Sequence, residues 1–208
     1  ERACSSQRYT VIKTVIALVG LPARNKTFIA RNLAHFLRWI GFPTQAVSVA
    51  QLRREQFGCN LRADFFDPHN AESLAKRTLV ADRALQLLLE WLEGREEALV
   101  GILDASNTTL GRRRKIVSTF AAKGIRVLFL ECASAASSDS EATMIREHLA
   151  QLRLAGGSEY GDWSVEEACL DFQRRIDYYR PDYVPLSRET DGANQPFIRL
   201  IETSGDIR

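Results

Sequence analysis

The sequence of 208 residues has little net charge, few cysteines and no long hydrophobic run. A formal charge of +2 at pH 7 argues against binding to nucleic acid or to a membrane surface through bulk electrostatics. No apolar run approaches the ~20 residues that a membrane helix needs. The four cysteines are scattered, with no C-x-x-C pair and no histidine cluster nearby, which argues against a disulfide scaffold and a zinc site. We therefore expect a cytoplasmic protein with neither nucleic-acid nor membrane partners.

The length and composition fit one compact domain. Hydrophobic residues make up 45% of the chain and charged residues 26%, which is enough to form a sizeable core. We expect residues 1–208 to form a single domain that begins with a flexible lead-in of ~10 residues. No charged-then-apolar leader opens the chain. It starts at Glu1 rather than Met, so we expect an excerpt of a longer protein. The full-length protein could carry further domains or form a homodimer.

Apolar segments of strand length alternate with helical patterns along the chain. The first, "TVIALVG" from Thr14 to Gly20, is rich in β-branched residues and precedes a helical pattern that extends to Ile40. The segment 134–140, "SAASSDS", is expected to be a loop. The alternation predicts a three-layer α/β fold with a mainly parallel sheet of about five strands, in which ligands bind at the carboxyl ends of the strands. Further strands are expected at 44–49, 98–104, 125–131 and 197–202, and further helices at 71–93, 110–123, 141–154 and 164–179.

The segment "GLPARNKT" differs by one residue from the loop pattern G-x-x-x-x-G-K-[ST], which cradles nucleotide phosphates. In such a loop the backbone N–H groups converge on the phosphates, the lysine reaches the β- and γ-phosphates, and the hydroxyl ligates Mg²⁺. The segment follows an apolar strand and opens a helix, as this mechanism requires. The alternative is a glycine-rich turn with an ordinary surface lysine. The predicted nucleotide ligands are Gly20, Leu21, Pro22, Ala23, Arg24, Asn25, Lys26, Thr27 and Phe28.

A carboxylate at the end of a predicted strand is the expected partner of this loop. Asp104 closes "ALVGILD", and such a residue holds the metal through water or polarises the attacking hydroxyl. The predicted cofactors are therefore ATP and Mg²⁺, with Thr27 and Asp104 as metal ligands. The alternative role of Asp104 is a helix N-cap before Leu110. The basic cluster "GRRRK" could suggest nucleic acid, but it lacks interleaved aromatic residues.

Several further segments occur in a characteristic order: "TVIALVGLPARNKTFIARNL", "FLRWIGFPT", "QLRRE", "FFDPHN", "ILDASNTTLGRRR", "DFQRRIDYY" and "YVPL". Together they resemble the kinase domain of the 6-phosphofructo-2-kinase/fructose-2,6-bisphosphatase family over nearly the whole chain. The resemblance implies transfer of the ATP γ-phosphoryl group to the 2-hydroxyl of fructose 6-phosphate. It also implies the adenylate-kinase-like branch of the P-loop NTPase fold. None of the three histidines lies in an R-H-G setting, so we expect no bisphosphatase domain in this chain.

The resemblance also implies ligands for the sugar phosphate. Arginine forks suit a phosphate dianion, and hydroxyl groups can orient the sugar. Ser106 stands where the family has a threonine and keeps the hydroxyl. Without the resemblance, an arginine such as Arg77 would be interpreted as part of a solvated helix face. The ligands taken over residue by residue are Arg53, Arg77, Ser106, Arg112, Arg175 and Tyr179.

Three positions depart from the family pattern. Asn25 replaces the second loop glycine, and Ser134 lies where the family has a cysteine, with Cys132 two positions earlier. Arg153 lies near a family lysine thought to contact both ATP and sugar phosphate, and we predict that Arg153 is catalytic and substrate-binding. Its fork keeps the charge but is not geometrically equivalent to an ammonium group. Asparagine tolerates the left-handed backbone region, so the loop can keep its shape while the Asn25 side chain crowds the nucleotide.

Three functional hypotheses follow from these residues. The first is an ATP- and Mg²⁺-dependent 6-phosphofructo-2-kinase, with Lys26, Asp104 and Arg153 as catalytic residues and with an activity that Asn25 could weaken. The second is a non-catalytic module that binds fructose 6-phosphate or nucleotide and regulates a partner. The third is a small kinase for another phosphorylated metabolite. Measured turnover of fructose 6-phosphate would separate the first from the second.

Overall fold

The computed structural model describes residues 12–59, 61–95, 97, 99–134, 138–154, 160 and 162–202, without the side chains of 138–140, 154 and 202. The predicted lead-in over the first ten residues lies outside the described residues. Within the described part of the chain, no helix is both long and apolar enough to cross a bilayer.

A sheet of five parallel strands forms the centre of the molecule, in the order β2-β3-β1-β4-β5. The five predicted strands are confirmed. The central strand β1 is buried on both faces, whereas the edge strand β5 leaves Ile198, Leu200 and Ile201 exposed. The predicted loop at 134–140 is partly wrong, since β4 extends to Ser134 and a helix begins at Ser138. The strands are β1 Thr14–Val19, β2 Thr44–Ser48, β3 Val100–Asp104, β4 Arg126–Ser134 and β5 Phe197–Glu202.

Helices cover both faces of the sheet. Of the described helices, α1, α3, α4, α5 and α6 were expected from the sequence, and their bounds agree to within a few residues. The short helices α2 and α7 and a 3₁₀ turn at Ala63–Phe66 were missed. The helices are α1 Lys26–Trp39, α2 Val49–Phe57, α3 Ala71–Glu93, α4 Leu110–Ala121, α5 Ser138–Leu154, α6 Val165–Tyr179 and α7 Arg188–Asp191.

The central strand β1 divides the core into two layers. Val15 and Val19 pack with residues of α3 and α4 on one face, whereas Leu18 packs with α1 on the other. A third apolar cluster lies outside the sheet and joins Leu21 and Ala23 to buried residues of α5 and α6. The loop after β1 is therefore packed against the α5–α6 pair rather than exposed to solvent.

The carboxyl ends of β1, β3 and β4 meet at one edge of the sheet. Gly20 has a φ of 141°, and a Cβ atom added there would lie 2.4 Å from the carbonyl oxygen of Cys132. Only glycine can occupy this position, because β4 passes so closely. The Gly20 amide donates to the Ser106 carbonyl oxygen at 2.9 Å, which ties the loop after β1 to the loop after β3.

Candidate active site

The loop from Gly20 to Thr27 has the backbone conformation of an anion-binding turn. Ala23 and Asn25 both have a positive φ, of 55° and 50°, and α1 begins immediately afterwards at Lys26. Asn25 has a ψ of 16° and thus lies in the left-handed region that asparagine tolerates better than most residues. The helix N-terminus and its free N–H groups therefore face the loop despite the missing second glycine.

Lys26 is buried in this loop. Its side chain is 9% exposed, and its Nζ donates to the Leu21 carbonyl oxygen at 2.5 Å. Burial lowers the pKa of Lys26 to about 8; Arg24 and Arg175 also lower the pKa, whereas Asp104 opposes the change. The negative charge nearby does not offset the cost of burying the ammonium group. A bound anion beside Lys26 would therefore stabilise the charged form.

A hydroxyl and a carboxylate lie together next to Lys26. Thr27 Oγ1 donates to Asp104 Oδ2 at 2.9 Å, and Asp104 is 5% exposed at the end of β3. Hard oxygen donors of this kind suit Mg²⁺, which takes one or two protein ligands and completes its shell with water and phosphate oxygens. Among the described residues, no group of three or more histidine, cysteine or acidic side chains is placed to hold a metal.

Two arginines from different helices stack on one aromatic ring. The Arg53 guanidinium carbon lies 4.9 Å from the centroid of the Phe66 ring, and that of Arg175 lies 3.8 Å from the same centroid. Arg53 is 4% exposed, and burial together with Arg175 lowers its pKa to about 9. The two like charges are thus held close together, an arrangement that suits a bound dianion.

Tyr179 and Ser106 complete this part of the site. The Tyr179 ring lies 6.1 Å from the Phe66 ring, centroid to centroid. Ser106 follows Asp104 in the loop after β3, and both residues line the same cavity as the stacked arginines. The structure therefore brings six of the predicted sugar-phosphate ligands to one cavity: Arg53, Arg77, Ser106, Arg112, Arg175 and Tyr179.

The other predicted arginines are engaged with the protein itself. Arg77 lines the cavity and donates to the carbonyl oxygens of Phe66 and Asp67, at 3.0 Å each. Arg112 also lines the cavity, and it donates to Asp82 at 2.8 Å and to the carbonyl oxygen of Ala81 at 2.6 Å. These contacts direct both guanidinium groups toward protein acceptors, so the two arginines contribute to the walls of the cavity.

Arg153 is not brought to the cavity. Its guanidinium donates to the Trp163 carbonyl oxygen at 2.7 Å and approaches that of Tyr160 at 3.4 Å. It is not among the described residues that line the cavity, so the catalytic role inferred from the sequence stays a prediction. The hydrogen bonds of Arg153 stabilise the backbone at Tyr160 and Trp163, just before α6 begins.

One cavity of about 960 Å³ joins the loop, the hydroxyl–carboxylate pair and the stacked arginines. Nine lysine or arginine side chains and one carboxylate, that of Asp104, are among the described residues that line it. A volume of this size accommodates two phosphorylated ligands side by side. Three of the nine are paired with carboxylates outside the lining, Arg24 with Glu141 and both Arg112 and Lys115 with Asp82. The positive charge that remains in excess favours anions.

Among the residues of this cavity that sequence reasoning missed are Arg31, Arg54, Phe66 and His148. Arg54 adjoins Arg53 in "QLRRE", and Phe66 lies in "FFDPHN", so both motifs were noticed without a role for these residues. Burial lowers the pKa of His148 to about 4, and Arg175, Lys26 and Arg54 act in the same direction. His148 is therefore neutral at pH 7 within a cationic cavity, and a single histidine on a helix gives no sequence signal.

The basic cluster "GRRRK" serves the fold. Arg113 is 1% exposed and donates to Asp191 at 2.5 Å and 3.0 Å. Lys115 and Arg112 both bond to Asp82. These charges are thus compensated within the protein, and the cluster gives no support to a nucleic-acid surface.

Comparison with known proteins identifies the family. The model of the 6-phosphofructo-2-kinase family matches residues 1–208. The chain belongs to this family. It is 36% identical over 202 residues to 6-phosphofructo-2-kinase/fructose-2,6-bisphosphatase 1 of Rattus norvegicus, which covers 97% of this chain and 41% of that protein. It is 33% identical over 204 residues to a protein of the same name in Caenorhabditis elegans, without the isoform number, covering 95% of this chain and 43% of that relative. This 6-phosphofructo-2-kinase family chain thus spans about two fifths of the length of these curated relatives.

Solved structures share the fold. Kti12 of Chaetomium thermophilum in complex with ADP-AlF3 matches with a TM-score of 0.58 at 17% identity, over 90% of this chain and 88% of that one. APS kinase CysC of Mycobacterium tuberculosis in complex with AMPPNP and APS matches with a TM-score of 0.50 at 15% identity, over 81% and 98%. At such identities the likeness concerns the fold alone, and it confirms the predicted P-loop α/β fold.

Proposed function

We propose that this chain is a 6-phosphofructo-2-kinase, which transfers the γ-phosphoryl group of ATP to the 2-hydroxyl of fructose 6-phosphate. The observation that carries the proposal is the single cavity in which a phosphate-binding loop faces two stacked arginines. Membership of the 6-phosphofructo-2-kinase family supports this choice of substrate. We further propose that residues 1–208 form one kinase domain, which other domains would accompany in a longer protein.

The nucleotide would bind along the loop, with its phosphates at the N-terminus of α1. Lys26 would turn from the Leu21 carbonyl to the β- and γ-phosphates, and the N–H groups of the loop would contact the same oxygens. Thr27 and Asp104 would hold Mg²⁺, which when bound neutralises charge on the phosphates. Asp104 also lies where a carboxylate can accept the proton of the attacking hydroxyl.

The sugar phosphate would bind with its 6-phosphate between Arg53 and Arg175. Both guanidinium groups already lie over the Phe66 ring before the ligand arrives, which lowers the cost of bringing the two charges to one phosphate. Ser106 and Tyr179 supply hydroxyls for the sugar. The transfer is then accelerated mainly by holding the 2-hydroxyl in line with the γ-phosphate and by neutralising charge, because phosphoryl transfer requires little covalent work from the protein.

The proposed reaction is tested by incubating the protein with ATP, Mg²⁺ and fructose 6-phosphate and assaying fructose 2,6-bisphosphate. We expect product to form in proportion to enzyme and time, and Lys26→Met to abolish it. Binding of fructose 6-phosphate without product at saturating substrates would favour a non-catalytic module instead. Product from another phosphorylated metabolite, and none from fructose 6-phosphate, would favour a different small kinase.

We also propose a cytoplasmic location. Among the described residues, Cys59, Cys132 and Cys169 form no disulfide, which suits a reducing compartment. ATP and the sugar phosphate are both expected substrates in that compartment. Fractionation of cells that express the full-length protein tests the proposal, and recovery of the protein outside the cytoplasmic fraction would contradict it.

Replacing Asn25 with glycine is expected to tighten ATP binding and to raise kcat/KM by roughly tenfold, equivalent to about 1.4 kcal/mol. The backbone already has the left-handed conformation, so glycine keeps the loop shape, relieves its strain and removes a side chain beside the phosphates. Binding of fructose 6-phosphate should barely change, since its proposed ligands lie on other elements. Calorimetric titrations with each ligand measure both effects.

A second variant separates strain from crowding. Ala23 also has a positive φ but carries only a methyl group, so Ala23→Gly relieves strain without removing a bulky side chain. We expect a smaller gain in ATP affinity than for Asn25→Gly. Equal gains would attribute the effect to the backbone, and no change in Asn25→Gly would show that Asn25 neither strains nor crowds the loop.

ATP binding at pH 8 is expected to take up roughly half a proton per site through Lys26. Lys26 is about half ionised there, and the bound triphosphate favours its charged form and raises its pKa. The uptake should vanish below pH 7, where Lys26 is already charged. Calorimetry in two buffers of different ionisation enthalpy measures the protons. Lys123→Met alters an exposed lysine that is paired with Glu93, and it should leave the proton uptake unchanged. If the Lys123→Met variant took up no proton on binding ATP, Lys26 would be excluded as the source.

A further inference from the structure

The position of Arg175 over Phe66 needs an explanation beyond stacking. A guanidinium on the face of an aromatic ring is attracted to it at 3.8 Å, but a flat ring leaves the guanidinium able to slide and rotate. The Phe172 ring lies 5.3 Å away, on the same helix as Arg175. Neither ring supplies a directional bond that would aim the fork of Arg175 at a phosphate.

A buried tyrosine supplies that bond. Tyr160 is 1% exposed, and burial raises the pKa of its hydroxyl, whereas the neighbouring Arg175 side chain, through its charge and as a hydrogen-bond donor, acts to lower that pKa. The same hydroxyl donates to Asp171 Oδ2 at 2.9 Å. Because a hydroxyl has one proton, donation to Asp171 leaves its lone pairs to accept from Arg175.

The other carboxylate oxygen of Asp171 holds the aromatic platform. Asp171 Oδ1 accepts from the Ala63 amide at 2.9 Å, and Ala63 begins the 3₁₀ turn that ends at Phe66. Asp171 is 9% exposed and lies one helical turn before Arg175 in α6. One carboxylate therefore fixes both the turn that carries the ring and the hydroxyl that bonds the guanidinium.

Arg153 supports the same arrangement from the other side. It donates to the carbonyl oxygens of Trp163 and Tyr160, and so holds the backbone on which the Tyr160 hydroxyl depends. The Tyr160 ring packs edge-on against Trp163, with 5.4 Å between the centroids. Tyr160 is thus fixed at its backbone, its ring and its hydroxyl.

We infer that Asp171 is a positioning residue that aims Arg175 at the 6-phosphate of the sugar through Tyr160 and the Ala63–Phe66 turn. The inference rests on the proposed function, since it takes the phosphate ester to be that of fructose 6-phosphate. Asp171 itself does not touch the ligand. It decides affinity for the phosphate ester by setting the orientation of Arg175.

Two variants disturb the hydroxyl beside Arg175 in different ways. In Asp171→Asn an oxygen can still accept from Ala63, but an amide donor then faces Tyr160, so the hydroxyl loses the acceptor that held its proton away from Arg175. Tyr160→Phe removes the hydroxyl and keeps the ring. We expect each variant to raise the Kd for fructose 6-phosphate about tenfold and to leave the Kd for ATP within twofold. Asp177→Asn, an exposed carboxylate on the same helix, is the matched control and should change neither.

The decisive measurement is a double-mutant cycle with Arg175→Ala. If Asp171 acts through Arg175, Asp171→Asn should have no further effect on fructose 6-phosphate binding once Arg175 is removed, whereas a merely structural role would persist. Additive losses, or wild-type affinity in both single variants, would overturn the inference. If Asp171→Asn fails to fold, the cycle with Tyr160→Phe decides the same point. Wild-type protein that binds fructose 6-phosphate without transferring phosphate would refute the proposed reaction, while the comparison of Kd values would still decide the role of Asp171.

Discussion

Replacing Asp104 with asparagine is expected to lower kcat by about 1,000-fold while changing the KM for fructose 6-phosphate by less than about threefold. The variant keeps the size of the side chain and an oxygen that can accept from Thr27, but it removes the single carboxylate among the described residues of a strongly cationic cavity. With that charge lost, the site holds a metal less well and has no group there to accept the proton of the attacking hydroxyl. Steady-state kinetics with both substrates varied measure the effect.

The response of the Asp104→Asn variant distinguishes the two roles of this carboxylate. Partial recovery of kcat at high Mg²⁺ would assign the loss to metal binding. If kcat does not recover at high Mg²⁺, and if the wild-type rate falls in acid while the variant rate does not, the loss of kcat would be assigned to proton transfer. Asp182→Asn, an exposed carboxylate outside the cavity, serves as the control. Wild-type kcat in Asp104→Asn would contradict both roles.

The nucleotide half of the site could be predicted because its signal is local. Gly20, Lys26 and Thr27 are close in sequence, and the strand before them and the helix after them follow from apolar periodicity. Asp104 was predictable for the same reason, since a carboxylate that ends a buried strand must lie at the carboxyl edge of the sheet. The left-handed backbone of Asn25 also agrees with the expectation that asparagine preserves the loop.

The sugar half depends on contacts between distant parts of the chain. Nothing in the composition of "FFDPHN" shows that Phe66 forms a platform for Arg53 and Arg175, which lie on different helices. Helix α2 was missed because Arg53 is its one buried side chain, so no apolar periodicity marks it. The role of Arg153 that the resemblance implies stays a prediction, since the structure shows its guanidinium donating to the Trp163 carbonyl oxygen.

Replacing Arg175 with alanine is expected to raise the KM for fructose 6-phosphate by at least 30-fold, since truncating one partner of a buried charged pair costs about 2–5 kcal/mol. ATP affinity should stay nearly intact, because the phosphate loop and Asp104 are unchanged. Arg175→Lys should fall in between, as it keeps the charge but loses the planar fork on Phe66. Arg174→Ala, an exposed neighbour on α6, is the matched control. Equal loss of both ligands would show that Arg175 is structural.

The Arg175→Ala variant is also expected to change the pKa of His148 in the absence of any ligand. Burial lowers the pKa of His148 to about 4, and the charge of Arg175 is the second largest cause. Removing the guanidinium should therefore raise the pKa of His148 toward the ordinary 6.5, which an NMR titration measures. Between these values the unfolded chain binds more protons than the folded one, and the wild type therefore loses stability as the pH falls from 6.5 to 4. The free energy of unfolding of the variant should fall less than that of the wild type over this pH range. Urea unfolding measures it, with each protein compared with its own value at pH 7. An unchanged His148 pKa would show that burial, and not Arg175, lowers it.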